Sequence, residues 1–154
     1  MMQQSSPLDF HRKVVAIALL AMLILTGCTP DKGPSVSKAG QTLKSDILRL
    51  LEERNAENVA ITDPGGKDIP CGEGKAKRTF AATGRDLPKR KPDALVDALL
   101  GAVKRVGAYE IVSTGDPGQP IRVENKAAHT ILILDAPGDG QYAVSGETGC
   151  LDAR

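Results

Sequence analysis

Residues 14–25 are apolar without interruption, and no later run approaches that length. Beyond them, hydrophobic positions recur at helix or strand spacing. In residues 38–57, Leu43, Ile47, Leu50 and Leu51 follow an i, i+4, i+7, i+8 rhythm. Arg54 continues it and Leu48 widens it, which predicts an amphipathic helix. Asp46, Glu52, Glu53 and Glu57 fall largely on other faces, and Asn55 and Asn58 predict its end. Residues 92–106 predict a second helix. Pro92 suits its first position, and Asp93 suits the positive end of its dipole. Leu95, Val96, Leu99, Leu100, Val103 and Val106 form one apolar face. Lys104 and Arg105 suit the negative end, and Gly107 is placed to close the helix.

The remaining segments alternate with period two. Residues 58–63 predict a short strand around Val59 and Ile61, ended by the turn Asp63-Pro64-Gly65-Gly66. The stretch to Gly74, with Pro70 beside Cys71, reads as loop. Residues 75–83 predict a second strand with Phe80 facing inward, followed by a polar loop over 84–91. Residues 108–113 predict a strand with Tyr109 and Ile111 on one side. Residues 119–125 alternate Ile121 and Val123 with Arg122 and Glu124, which implies one wet face. Residues 129–135 are apolar on both sides and predict a central strand. Ala136-Pro137-Gly138-Asp139-Gly140 turns into a strand over 141–145, which carries Tyr142 and Val144. The fold class that follows is α+β: two helices on one face of a mainly antiparallel sheet ending in a C-terminal meander.

The apolar run has the flanks of an export signal. Arg12 and Lys13 precede it, and Leu25-Thr26-Gly27-Cys28 closes it. A spanning helix needs roughly 20 apolar residues, so the run is short for a permanent anchor. Residues 11–28 resemble the signal of bacterial lipoproteins. The resemblance implies a cleaved leader over 1–27 and diacylglycerol on the sulfur of Cys28. It also implies a cell-membrane location, lipid-anchored on the extracytoplasmic face. Two acyl chains hold a protein stably where one does so only marginally. Residues 28–37, with Pro30, Gly33 and Pro34, then read as a flexible tether to a single domain over 38–154. The globular part is similar to small actinobacterial envelope lipoproteins in its tether, two helices, meander and late Ser145-Gly146-Glu147-Thr148-Gly149-Cys150. That likeness implies location and fold class, not mechanism.

The chain has 3 cysteines, an odd number for an exported protein. Lipidation of Cys28 leaves Cys71 and Cys150 as a pair in an oxidising compartment, where a disulfide is expected. Two unpaired buried thiols are the alternative. A metal site of Cys71, Cys150 and His129 lacks any paired ligand spacing, so no metal is expected.

Charge adds one local feature. Without Asp9, Arg12 and Lys13 of the leader, the 20 basic and 19 acidic residues come into balance, which gives no general attraction to nucleic acid. Between residues 75 and 91, however, Lys75, Lys77, Arg78, Arg85, Lys89, Arg90 and Lys91 face the single acid Asp86. They are a candidate contact patch for anionic lipid or an anionic wall polymer. A solvated strand edge is the plainer use of the same lysines. With no Trp, 2 Tyr and 2 Phe, the chain also lacks the aromatic faces that stack sugars or bases.

Catalytic signals are weak. His129 has no second histidine beyond the leader, and no serine lies in G-x-S-x-G. Asp63, Asp116 and Asp139 stand beside Pro or Gly, where turns favour Asp. Gly72-Glu73-Gly74-Lys75 lacks the rest of a phosphate loop. The expectation is a non-enzymatic, cofactor-free binding or interaction module with a protein or envelope partner. A small-ligand or lipid carrier and an envelope hydrolase are the alternatives.

Overall fold

The computed structural model describes residues 33–153. Cys28, the leader over 1–27 and the first part of the tether lie outside the described residues. Helix α1 spans Val36–Glu53, two residues earlier than its apolar rhythm predicts. Ser35 caps it by accepting from the Lys38 N–H at 3.4 Å, and Val36 is already fully buried. The end of the predicted tether therefore belongs to the folded domain. The helix stops before Glu57 because Asn55 turns left-handed, with φ 48°. The Ala56 N–H then bonds Leu51 O at 3.0 Å and the Asn55 N–H bonds Glu52 O at 2.8 Å. Those two bonds satisfy carbonyls that the helix end would otherwise leave open.

Strands β1 (Glu57–Asp63), β2 (Ile69–Gly72), β3 (Lys75–Lys77) and β4 (Thr79–Arg85) follow. Helix α2 spans Pro92–Val106, as its punctuation predicts, with Pro92 in its first turn. Gly107 closes it differently from expectation: its φ of −166° is extended, not left-handed. The glycine is needed for space, since a Cβ there would lie 3.0 Å from the Tyr109 ring and 3.2 Å from the Asn125 amide. Strands β5 (Glu110–Ser113), β6 (Ile121–Asn125), β7 (Thr130–Gly138), β8 (Gln141–Thr148) and β9 (Leu151–Asp152) complete the chain.

Six strands form one antiparallel sheet in the order β1-β4-β8-β7-β6-β5. The meander β5 to β8 is its second half, and β4 joins the first half by pairing with β8. Helix α1 packs on β4 and β8, and α2 packs on β7. Both helices cover the same face. Leu43, Ile47, Leu50, Leu95 and Leu99 meet Phe80, Leu132, Leu134, Tyr142 and Val144 in one apolar core. The α+β architecture is as the sequence predicts.

Three details differ from the sequence pattern. Residues 75–83 are two strands in two sheets, broken at Arg78. The stretch around Cys71 is strand β2, not loop, and pairs with β3. Tyr109 precedes β5 and is buried, whereas Ile111 on β5 is 50% exposed. Residues 107–109 form a tight turn, the Tyr109 N–H bonding Gly107 O at 2.9 Å, which tucks the ring inward before the strand begins.

The second sheet, β2-β3-β9, prolongs the first. In the large sheet Thr79 pairs with Glu147; past Arg78 and Thr148, Ala76 pairs with Leu151. One extra residue on the β8–β9 side bends the ladder out of the main sheet. At the bend the Arg78 N–H bonds Thr148 Oγ1 at 3.0 Å, and the Thr148 N–H bonds Arg78 O at 2.9 Å. Cys71 and Cys150 form a disulfide there, their Cα atoms 5.9 Å apart. The predicted bridge is present, and it joins the two flanks of the small sheet.

Candidate functional site

The face of the large sheet opposite the helices is uncovered. Alternation in β4 and β8 sends Phe80, Ala82, Tyr142 and Val144 to the core. It leaves Thr79, Ala81, Thr83, Ala143 and Ser145 on the open side. These side chains are small, so the centre of the open face is low. On β7 the outward residues Ile131 and Ile133 are larger and raise one wall. The result is a depression of about 260 Å³ lined by Asp63, Thr79, Ala81, Arg122, Ile131, Ile133, Ser145 and Glu147. A second, of about 290 Å³, lies toward the other end of the same strands, among Asn58, Ala60, Thr83, Arg85, Pro137 and Gln141.

The first depression has an apolar wall and a charged rim. Lys77 donates to Glu147 at 2.8 Å, and Arg122 approaches the same carboxylate at 3.6 Å. The Arg122 side chain is 44% exposed, so an incoming anion can reach it. On the opposite rim, donation from the Thr79 hydroxyl and then from the Gly65 N–H holds the Asp63 carboxyl below the usual carboxylate range. Gly65 bonds it at 2.9 Å in a turn whose left-handed φ of 62° suits glycine. The site offers a hydrophobic strip with Lys77, Arg122 and Glu147 on one rim and Asp63 on the other. Its sequence signal was the run of small residues alternating with core residues over 79–83 and 142–145. That alternation identifies an outward face but not its curvature.

The seven basic residues singled out in the sequence do not form one surface. Lys75, Lys77 and Arg78 lie before β4, and Arg85, Lys89, Arg90 and Lys91 lie at its far end. A seven-residue strand separates the groups by about 20 Å. Four of them are engaged by acids, three distant in sequence or on another element and one, Asp86, four residues away. Lys77 holds Glu147, Arg78 holds Asp68 at 2.6 Å, Arg90 holds Asp86 at 2.6 Å and Lys91 holds Asp139 at 2.8 Å. Among the described residues, Lys75, Arg85 and Lys89 make no ion pair.

Two buried polar clusters went unnoticed in the sequence. In the first, the Asp86 carboxylate accepts from Arg90 Nε and Nη2 and from the Tyr142 hydroxyl at 3.2 Å. The Arg90 guanidinium is the main reason its pKa falls to about 2. The same loop is locked to the β7–β8 turn, since the Asp86 N–H bonds Gly140 O at 3.0 Å and the Gly140 N–H bonds Arg90 O at 2.9 Å. In the second, the Tyr109 hydroxyl donates to Asp46 at 2.8 Å and meets Thr130 Oγ1 at 2.9 Å. Burial pushes the pKa of Asp46 up, and burial likewise raises that of Tyr109. Both clusters pin loops to the core, and Tyr142 of the first also lines the second depression.

His129 is exposed at the start of β7, in a left-handed conformation with φ 52°. Its neighbours are Gly33 and Gly149, not the carboxylates of the depression. Among the described residues no group of three His, Cys, Asp or Glu side chains could hold a metal ion. No helix among them is long and apolar enough to cross a membrane. No protein-family model matches the chain, and neither a curated protein nor a solved structure does.

Proposed function

We propose that this chain is an extracytoplasmic lipoprotein, anchored through diacylglyceryl Cys28, that binds a partner in the cell envelope on its open sheet face. The observation that carries the anchoring reading is the use of the cysteines. The Cys71–Cys150 bridge accounts for two of the 3 sulfurs, and Cys28 is left for the lipid. A bridge of this kind suits an oxidising compartment. The binding reading is supported by the depression along β4 and β8, where helices cover only the other side. It is open to solvent, so a small molecule would stay half wetted there, whereas the broad surface of a protein partner would fill it. A carrier would need its cavity between helices and sheet, and both depressions lie on the opposite side.

The test is retention of a component from an envelope extract by the immobilised protein. Ala81→Arg and Ala143→Arg would raise the floor of the face and abolish retention. Lys89→Glu, at the far loop, would leave it intact. Absence of any retained component at low and high salt, or retention indifferent to Ala81→Arg, would overturn the binding reading.

A further inference from the structure

The folded domain begins at an informative corner. A Cβ on Gly33 would lie 3.4 Å from His129 Nε2. The carbonyl of His129 accepts the Gly149 N–H at 2.7 Å, and Gly149 leads into Cys150 and its bridge to Cys71. Arg78 bonds Ser37 in the first turn of α1 and Asp68 just before β2. The chain thus enters the domain where the small sheet leaves it. From Cys28 to Gly33 the backbone reaches at most about 18 Å. Lipid on Cys28 therefore holds this corner close to the bilayer. The loop over 86–91 and the turn at Asp139 and Gly140 lie at the other end of β4 and β8, roughly 20 Å further.

The small sheet has the character of a contact surface. Every residue of β2 is exposed, and Ile69 shows 38% of its surface. A ribbon that buries so little is marginal by itself, yet here a covalent bond keeps it in shape. Among the described residues Lys38, Lys67 and Lys75 at this end make no ion pair. Asp63, Glu73 and Asp152 are the acids beside them, Asp63 near Lys67 and Asp152 opposite Lys75 in register, while Asp68 is held by Arg78.

We infer that the stapled sheet, together with the turn over 126–129, rests on the phospholipid headgroups, with Lys67 and Lys75 meeting phosphates and Ile69 entering the interface. The inference rests on the anchoring reading, which supplies the tether. A short tether converts the contact into an intramolecular one, so a weak surface suffices. Each lysine near an anionic leaflet adds ~1 kcal/mol of attraction. The open sheet face then stands to the side of the anchor, and Arg85, Lys89, Arg90 and Lys91 point away from the membrane.

The core of the described residues and both bridged cysteines lie in the compact unit that begins at Gly33, which the chain from Cys28 onward contains entire. With the bridge formed, Cys28 is its one free thiol and can be coupled to a maleimide lipid in nanodiscs of phosphatidylglycerol and phosphatidylcholine. A gadolinium-chelating lipid in the disc then reports proximity through lost amide signals. The expected result is loss at Gly33, over 69–75 and over 127–129, with Leu87, Lys89 and Gly140 retained. In a Lys67→Glu, Lys75→Glu double variant the signals over 69–75 return while Gly33 stays lost. Equal loss at both ends overturns the inference. So does persistent loss over 69–75 in a double variant whose core signals and bridge are intact. This arrangement needs no lipidation by the cell; a protein that is unmodified in cells is recognised by its mass, and that result counts against the anchoring reading instead.

Discussion

The two sheets share one ladder but are held by different physics. In the large sheet, β4 and β8 bury Phe80, Ala82, Tyr142 and Val144 beneath two helices. In the small sheet, the continuing strands β3 and β9 bury only Ala76, and β2 buries nothing. Burial stabilises the first, at roughly 25 cal/mol per Å² of apolar surface. In the second, the Cys71–Cys150 bond ties β2 to the residue before β9. The contrast predicts that the small sheet's pairing is kept by covalent closure where the large sheet's is kept by its core.

The largest expected effect comes from breaking the bond. Cys71→Ser with Cys150→Ser should lower stability by ~4 kcal/mol, from the loop of sequence separation 79 that the bridge closes. Denaturant unfolding measures that loss. Hydrogen exchange sharpens the comparison: protection at Ala76 and Leu151 should vanish while Leu132 and Val144 keep theirs. Equal loss in both sheets would show that the small one is held by its surroundings. Next is the core. Leu132→Ala should cost ~3 kcal/mol, and its local exchange in the small sheet should follow the global unfolding only.

Smaller effects distinguish the two polar clusters, which respond to acid in opposite directions. Asp86→Asn removes the charge that holds Arg90 and one of the two accepting oxygens, and should cost ~2 kcal/mol. Because the folded pKa of Asp86 is lowered to about 2, its contribution is complete above the ordinary carboxylate range and fades as pH falls toward 2. The variant should therefore lose the acid-side slope of stability between about pH 4 and pH 2. Asp46 has a raised pKa, so its contribution is complete at low pH and is lost as pH rises through its titration. Tyr109→Phe should cost ~1 kcal/mol by removing one donor, the smallest change of the series. A stability curve with the same acid slope in wild type and Asp86→Asn would contradict the assignment.

The legible parts of the fold were those with strong local grammar. Residues 92–106 carry proline at the start, glycine after the end and an unbroken apolar face, and the helix matches them. The alternation of Ile121 and Val123 with Arg122 and Glu124 likewise gave a strand with one wet face. What escaped depended on distant partners. Ile69-Pro70-Cys71-Gly72 has no alternation and becomes a strand only through β3 and the bridge. The basic residues over 75–91 are close in sequence, but β4 extends through the gap between them, and Glu147 and Asp139 come from β8 and the turn before it. The open face was half visible: small residues at alternate positions marked the outward side, while its hollow needed the register that sets Ala81 opposite Ser145 and Ile133 beside it.

The three sulfurs of the chain are proposed to have two fates. Intact mass spectrometry of the protein taken from bacterial membranes reads both at once. The account predicts a chain without residues 1–27, heavier by a diacylglyceryl group on Cys28, and lighter by the two hydrogens lost in forming the Cys71–Cys150 bond. A protein that keeps Met1, carries no glyceride, or takes up alkylating reagent at Cys71 and Cys150 before reduction would contradict it.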